Sequence, residues 1–246
     1  MTPRTAALIR LYGVQAAWTY ERMAGIGVGH ASAPLLRDLY AASAPAERRA
    51  AVARSAEFFN SHPYLAGIAV GAVVRAERDG VDPAQISRLR IALSGPLGAI
   101  GDQLIWAGQV PALMGLALAA SPWAGAWVVG ALLVAHNVAR LLLTSWGLDL
   151  GLREGLGVGS ALSRSWIAQR ASDAQRVAAF GVGLATPIAA WQLLGDARPA
   201  AWAIVGAITL VGSVLALAPG TRSHVSGLRV GLGLLAVAGV VIGGMP

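Results

Sequence analysis

Residues 103–139 read QLIWAGQVPALMGLALAASPWAGAWVVGALLVAHNVA and contain no Asp, Glu, Lys or Arg. A helix needs about 20 apolar residues to cross a hydrocarbon core about 30 Å thick. The run is therefore long enough for two crossings. Ser121-Pro122 divides it, which predicts a helical hairpin with arms over 103–120 and 124–146. Three further apolar runs, 177–195, 199–218 and 228–246, each reach spanning length. The expectation is an all-α polytopic membrane protein with about five transmembrane helices.

Composition supports this reading. Of 246 residues 56% are hydrophobic and 13% charged, with mean hydropathy +0.61. A soluble domain carries about 25% charged residues, and a disordered chain is poorer still in apolar ones. There is no cysteine, so disulfides, thiolate metal sites and cysteine nucleophiles are excluded. All 19 basic residues are arginine, which removes Schiff-base and Walker-type lysine chemistry. The 31 glycines suit close helix packing in a membrane. In so apolar a chain the net charge of +7 points to cytoplasmic loops and not to nucleic acid. Arginine gathers at 75–90, 149–176 and 219–229, so the positive-inside rule puts these loops and the N-terminus in the cytoplasm and the C-terminus outside. Arg4, Arg10, Glu21 and Arg22 interrupt the N-terminal region, which does not read as a signal peptide.

The first 90 residues differ from the rest. Leu8, Leu11, Val14 and Trp18 recur at helical spacing opposite Arg4, Arg10 and Arg22. Such a helix either lies at the membrane interface or packs on the rest of the protein. A second helix starts at Ser43-Ala44-Pro45 and ends near Phe59; a third is capped by Asp82 with Pro83 at its first position. Three regions result: 1–90 with amphipathic helices and a short segment, 91–155 with a broken helix and the hairpin, and 156–246 with a cytoplasmic connector and three spans.

Two segments break the membrane pattern. In the first, Glu57-Phe58-Phe59-Asn60-Ser61-His62-Pro63 precedes the apolar stretch Tyr64–Val74. As a helix that stretch reaches about 17 Å, too short to cross. It either enters and returns, in re-entrant fashion, or docks on other helices. In the second, Ser94-Gly95-Pro96-Leu97-Gly98-Ala99-Ile100-Gly101-Asp102-Gln103, three glycines and a proline oppose a continuous helix. Asp102 stands directly before the charge-free run, and a carboxylate at membrane depth faces a cavity or a partner. Broken helices with polar side chains at the break build substrate sites in transporters. Plainer roles also fit: Asn60 and Ser61 as helix caps, His62 as a structural histidine, Asp102 as an interfacial cap. The two breaks together favour binding. Asn, Gln and Asp make directed hydrogen bonds to hydroxyls, and Phe58, Phe59, Tyr64 and Trp106 offer apolar faces for a sugar ring. Arg140 falls inside an expected span and needs a partner; Asp149 is nine residues away, so a partner on another helix or chain is preferred.

These residues resemble a known family, the IID membrane subunit of the mannose/fructose/sorbose-class phosphoenolpyruvate-dependent sugar phosphotransferase system (PTS). The resemblance rests on four blocks in order over residues 15–155. They are Tyr20-Glu21-Arg22-Met23-Ala24-Gly25 with Pro34-Leu35-Leu36 and Leu39-Tyr40; Glu57 to Gly67, similar to F-F-N-[ST]-H-P; Gly95 to Asp102, similar to G-P-L-A-G-I-G-D; and Asn137 to Arg140 followed by Gly151-Leu152-Arg153-Glu154-Gly155, similar to N-x-x-R and G-Y-K-x-G. Gln103 stands where the family has Ser, Leu152 where it has Tyr and Arg153 where it has Lys, and beyond Gly155 the motifs fade.

The resemblance implies a IID subunit that forms, with a IIC membrane subunit, the unit that conducts a hexose. Soluble IIA and IIB proteins carry the phosphoryl group and phosphorylate the sugar. The chain itself is then a hetero-oligomer component in the bilayer with no catalytic residue, cofactor or metal. Asn60, His62 and Asp102 are the expected substrate-binding groups, followed by Glu57 and Gln103. The divergent tail motivates one alternative, a non-transporting scaffold or sensor that docks IIA/IIB proteins. No paired acid–base or metal constellation supports a membrane enzyme.

Overall fold

A computed structural model describes residues 1–194 together with 203, 206 and 207. The chain divides into two compact units, Met1–Leu184 and Ala185–Pro246. The first unit carries the architecture below; the described part of the second is the end of one long helix and those three positions. Among the described residues the fold is helical, with two isolated β-bridges and no sheet.

Three short helices begin the chain: α1 (Pro3–Tyr12), α2 (Gly25–Leu39) and α3 (Pro45–Ser55). Thr2 caps α1 by accepting from Thr5 N–H, and Pro3 sits where a missing N–H costs nothing. Ala6, Ala7, Leu11 and Val14 are buried, so the apolar stripe of α1 packs on the protein itself. Within α2, Pro34 cannot donate to the His30 carbonyl four residues back. Arg10 of α1 donates to that carbonyl instead, at 3.0 Å. The α3 helix starts at Pro45 as expected but stops at Ser55, short of Phe59. Buried Arg90 receives its end, donating to the carbonyls of Arg54, Ser55 and Glu57 at 2.9–3.0 Å. These are the acceptors a helix C-terminus leaves unpaired.

The short apolar segment is helical and docks on another helix. A 3₁₀ turn (Pro63–Leu65) leads into α4 (Ala66–Arg78), buried at every residue except Arg75 and Arg78. It docks on α7 (Ala126–Glu154) through glycines on both sides. A Cβ on Gly67 would stand 2.9 Å from Thr144 O, and one on Gly151 would stand 2.6 Å from Ala72 N. Gly71 and Gly147 complete this pair of small-xxx-small seams, which lets two backbones meet where bulkier side chains would hold them apart. Near its end α4 buries Glu77, fully engaged by Arg54 at 2.7 and 3.0 Å and by the Tyr40 hydroxyl at 2.7 Å.

The expected broken helix is instead continuous. Pro83–Ala124 runs as one helix of 42 residues, made of α5 (Pro83–Gly101), a π segment (Asp102–Gln109) and α6 (Val110–Ala124). Asp82 caps it, accepting from Ala84 and Gln85 N–H. Its length of about 60 Å is twice a hydrocarbon core. Gly95 and Pro96 lie inside α5 without ending it. Pro111 cannot donate to Ala107 O and its ring presses on that carbonyl. The wider π turns, with Val110 N–H donating to Ile105 O, relieve this. The hairpin turn likewise moves from Ser121-Pro122 to Gly125, whose φ of +55° and ψ of −144° suit glycine alone. Pro122 leaves the Leu118 carbonyl free, and the Ser121 hydroxyl donates to it at 2.9 Å, so the helix continues.

Beyond the hairpin α7 runs to Glu154, further than the expected 146, and α8 (Val158–Ser163) leads to α9 (Trp166–Leu194). The expected span at 177–195 is thus the latter part of a longer helix. The expected spans at 199–218 and 228–246 lie outside the described residues, apart from positions 203, 206 and 207. Two stretches, Pro83–Ala124 and Ala126–Thr186, are long and apolar enough to cross a membrane, and the most apolar window of the second is only 6% buried. That apolar surface is not spent on the protein's own core. Asp149 is claimed by Arg4 of α1 at 2.7 and 2.8 Å, not by Arg140.

Candidate functional site

The segment 58–62 follows the turn that ends α3 and is held from three sides. Phe59 N–H donates to Arg22 O and Ala24 N–H to Phe59 O, at 3.3 and 2.9 Å. Extended backbone alternates its side chains. Phe59 turns inward beneath the Arg90 guanidinium, 5.6 Å from the ring centre, and Asn60 stays exposed. Ser94 of α5 accepts from Asn60 N–H at 3.2 Å and donates to Asn60 O. Its hydroxyl thus occupies the backbone of Asn60, and the side-chain amide has no hydrogen bond among the described residues.

Both sequence breaks open onto one cleft of about 370 Å³, a size typical of small-molecule sites. Asn60, Ser61, His62 and Pro63 form one wall. Ser94, Gly95, Gly98, Ala99, Asp102 and Trp106 form the other, and Gln15 reaches in. Asp102 is exposed, and its carboxylate makes no hydrogen bond or ion pair among the described residues. Its position inside a continuous helix, and not at a helix start, excludes the capping role.

His62 is buried to 2% exposure. Its Nδ1 accepts from Tyr64 N–H at 3.3 Å, capping the 3₁₀ turn that Asn60 or Ser61 was expected to cap. In the neutral ring the proton is therefore on Nε2, which is buried without a partner. Burial is the main cause of a pKa lowered to about 4; Asp102 opposes the shift and Arg140 adds to it. The ring is thus a neutral donor near pH 7. Tyr64 meets it edge-on at 4.9 Å and Trp106 lies 5.7 Å away. Gly101 lies directly behind: a Cβ there would overlap His62 Cβ and Cγ.

The other expected site residues lie elsewhere. Glu57 does not line the cleft; it faces Ser87 at 3.2 Å and Arg90 at 3.6 Å, beside a separate hollow with Arg22 and Arg54. Gln103 lines a shallow depression that shares Asp102 and Trp106 with the cleft. Of the four candidate aromatics, Trp106 lines the cleft; Phe59 is core, Phe58 exposed and Tyr64 behind His62. Sequence reasoning assigned no role to Ser94 or Gln15. The first lies in the quoted break, where its hydroxyl was a visible signal; nothing local marks the second. Arg140 finds Tyr12 O at 2.9 Å and stacks on Tyr12 and Tyr64, with its charge 4.7 and 4.8 Å from their ring centres. The cleft offers donors, acceptors and one aromatic face, an arrangement suited to holding a polyol.

A helical fold with two apolar stretches of bilayer length and a polar cleft is that of a membrane protein. The model of the PTS system mannose/fructose/sorbose family IID component matches residues 2–216, and the chain belongs to that family. The match runs well beyond Gly155, further than the motifs alone suggest. The chain is 31% identical over 179 residues to the sorbose-specific EIID component of Klebsiella pneumoniae, covering 69% of this chain and 63% of that protein. It is 28% identical over 178 residues to the mannose-specific EIID component of Escherichia coli K12, covering 69% and 61%. The alignments thus span somewhat under two thirds of these relatives' length. Two solved structures share the fold at 21% identity. One is the mannose transporter ManYZ in complex with microcin E492, with TM-score 0.54 over 99% of this chain and 97% of that one. The other is a membrane protein, with TM-score 0.62 over 98% of this chain and 96% of that one.

Proposed function

We propose that this chain is the IID subunit of a mannose-type PTS permease. With a IIC subunit it forms the unit that passes a hexose to the cytoplasm for phosphorylation by IIA/IIB proteins. It crosses the bacterial inner membrane several times with its N-terminus in the cytoplasm. Asn60, His62 and Asp102 hydrogen-bond the sugar hydroxyls, Trp106 covers a ring face, and Gln103 contributes from the adjoining depression.

The observation that supports this best is the unpartnered Nε2–H of His62 at the cleft wall. A buried donor without a partner costs about 1–3 kcal/mol, which a bound hydroxyl would recover. Asp102 lies about 30 Å along the helix from Trp123, so with the hairpin tip at one interface the cleft falls near the other. That is where a solute leaving for the cytoplasm is handed over.

The test is phosphoenolpyruvate-dependent uptake of mannose, fructose and sorbose by cells expressing the chain with its IIC and IIAB proteins. Asn60→Ala and Asp102→Ala should each reduce uptake at limiting sugar. Uptake unchanged in both variants refutes the site. Absence of uptake with retained IIB binding supports the scaffold reading instead.

A further inference from the structure

Three polar side chains of α7 lie together on an otherwise apolar surface. His136 bonds the Tyr64 hydroxyl through Nε2 at 3.0 Å, while its Nδ1 is buried without a partner. Asn137 is exposed and spends its amide N–H on Leu133 O of its own helix. Arg140 donates to Tyr12 O, the open end of α1, and its remaining N–H groups have no acceptor among the described residues. Around them Leu133, Val134, Val138, Leu141 and Leu142 are exposed.

Depth makes this arrangement costly against lipid. Trp123 and Trp127, 78% and 89% exposed at the hairpin tip, suit a membrane interface. From Trp127, His136 lies about 14 Å and Arg140 about 20 Å along the helix, both within a hydrocarbon core about 30 Å thick. At that depth polar side chains face protein or a wet cavity. Arg140 cannot reach toward headgroups while held between two tyrosine rings and the Tyr12 carbonyl.

Among the described residues no carboxylate pairs with Arg140. Residues 103–148 contain no acidic residue, Asp149 is bound to Arg4, and Asp102 lines the cleft. We propose that the His136–Asn137–Arg140 patch seats a carboxylate carried on a transmembrane helix of a different chain. This rests on the reading above in taking that chain to be the IIC subunit. The carboxylate accepts from Arg140 and Asn137, and the partner helix covers the leucine and valine surface around them.

The experiment is co-expression with the IIC chain, with a photo-crosslinking amino acid at position 137 and, separately, affinity purification of Arg140→Leu, Arg140→Lys and Asn137→Leu. The expected crosslink joins position 137 to an apolar IIC peptide containing Asp or Glu. Arg140→Leu should lower co-purified IIC about tenfold or more, because removing one member of a buried charge pair weakens association strongly. Arg140→Lys should retain most of it. Asn137→Leu removes only an exposed side chain, so its loss of IIC cannot be laid to misfolding, and the melting temperature of each variant alone checks the fold. Crosslinks to lipid or to a second copy of this chain overturn the proposal, as does wild-type IIC recovery in both leucine variants. A IIC crosslink in a complex that takes up no sugar would refute translocation and leave the interface standing.

Discussion

Gly101→Ala tests whether His62 and the cleft form a single site, and it does so without removing a polar group. The added methyl would overlap the root of the His62 side chain and stand 3.1 Å from its Nδ1, where ordinary contact begins near 3.4 Å. The atoms in conflict are Cβ and Cγ, which no rotation about the end of the side chain can clear. His62 must then retreat by about 1 Å, an overpacking strain. Its backbone is tethered by the bond from Leu65 N–H to His62 O and its ring by Tyr64 N–H, so the retreat tilts the Nε2 donor out of line. Losing one hydrogen bond from a buried group costs about 1–3 kcal/mol. That raises the half-saturating sugar concentration about fivefold to 150-fold. The assay is initial-rate uptake across a sugar titration, with Gly159→Ala as the matched control because nothing lies within 4 Å of its added methyl. A half-saturation unchanged in Gly101→Ala, with normal membrane abundance, refutes the reasoning.

Three further outcomes are expected. Gly71→Ala and Gly151→Ala each wedge the α4–α7 seam and should lower the melting temperature in detergent, at a cost of about 1–3 kcal/mol each; unaltered melting would mean that the seam is loose. Glu77→Leu strands half-buried Arg54 and frees the Tyr40 hydroxyl, a loss of about 3–5 kcal/mol read as poor recovery of folded protein. His62 has a folded pKa of about 4 against an ordinary 6.5. The unfolded chain therefore takes up the proton first. Stability is full above about pH 6.5 and falls as pH drops toward 4. Melting temperatures measured across that interval should decline, and His62→Gln should lessen the decline.

The helical class and the membrane habit were legible because they rest on quantities that add along the chain: charge-free length and apolar content. Caps were legible too, since Asp82-Pro83 and Pro45 act within one turn. The continuity of Pro83–Ala124 was not. It depends on remedies that lie across the structure or further along the chain, such as the π turns before Pro111 and the Ser121 hydroxyl at Leu118 O. The same holds for Arg10, which reaches from α1 to the carbonyl left by Pro34. Two breaks near Asn60 and Asp102 could be marked as unusual, and they do share a cleft. Glu57 could not be sorted from them, because its claim by Arg90 and Ser87 depends on how α3 and α5 dock. Asp149 and Arg140 are close in sequence but separated by the arrival of Arg4 and Tyr12 from α1.

The π segment has a consequence for how such a helix tolerates change in length. A wide turn is what remains when an α-helix absorbs one surplus residue without turning its far portion. Removing one position between Gln103 and Gln109 would therefore tighten the winding while leaving α5 and α6 facing as before. The same deletion in α7 would swing every later side chain by about 100°. This neighbourhood of the cleft is thus where the membrane portion can lose a residue and keep its faces in register.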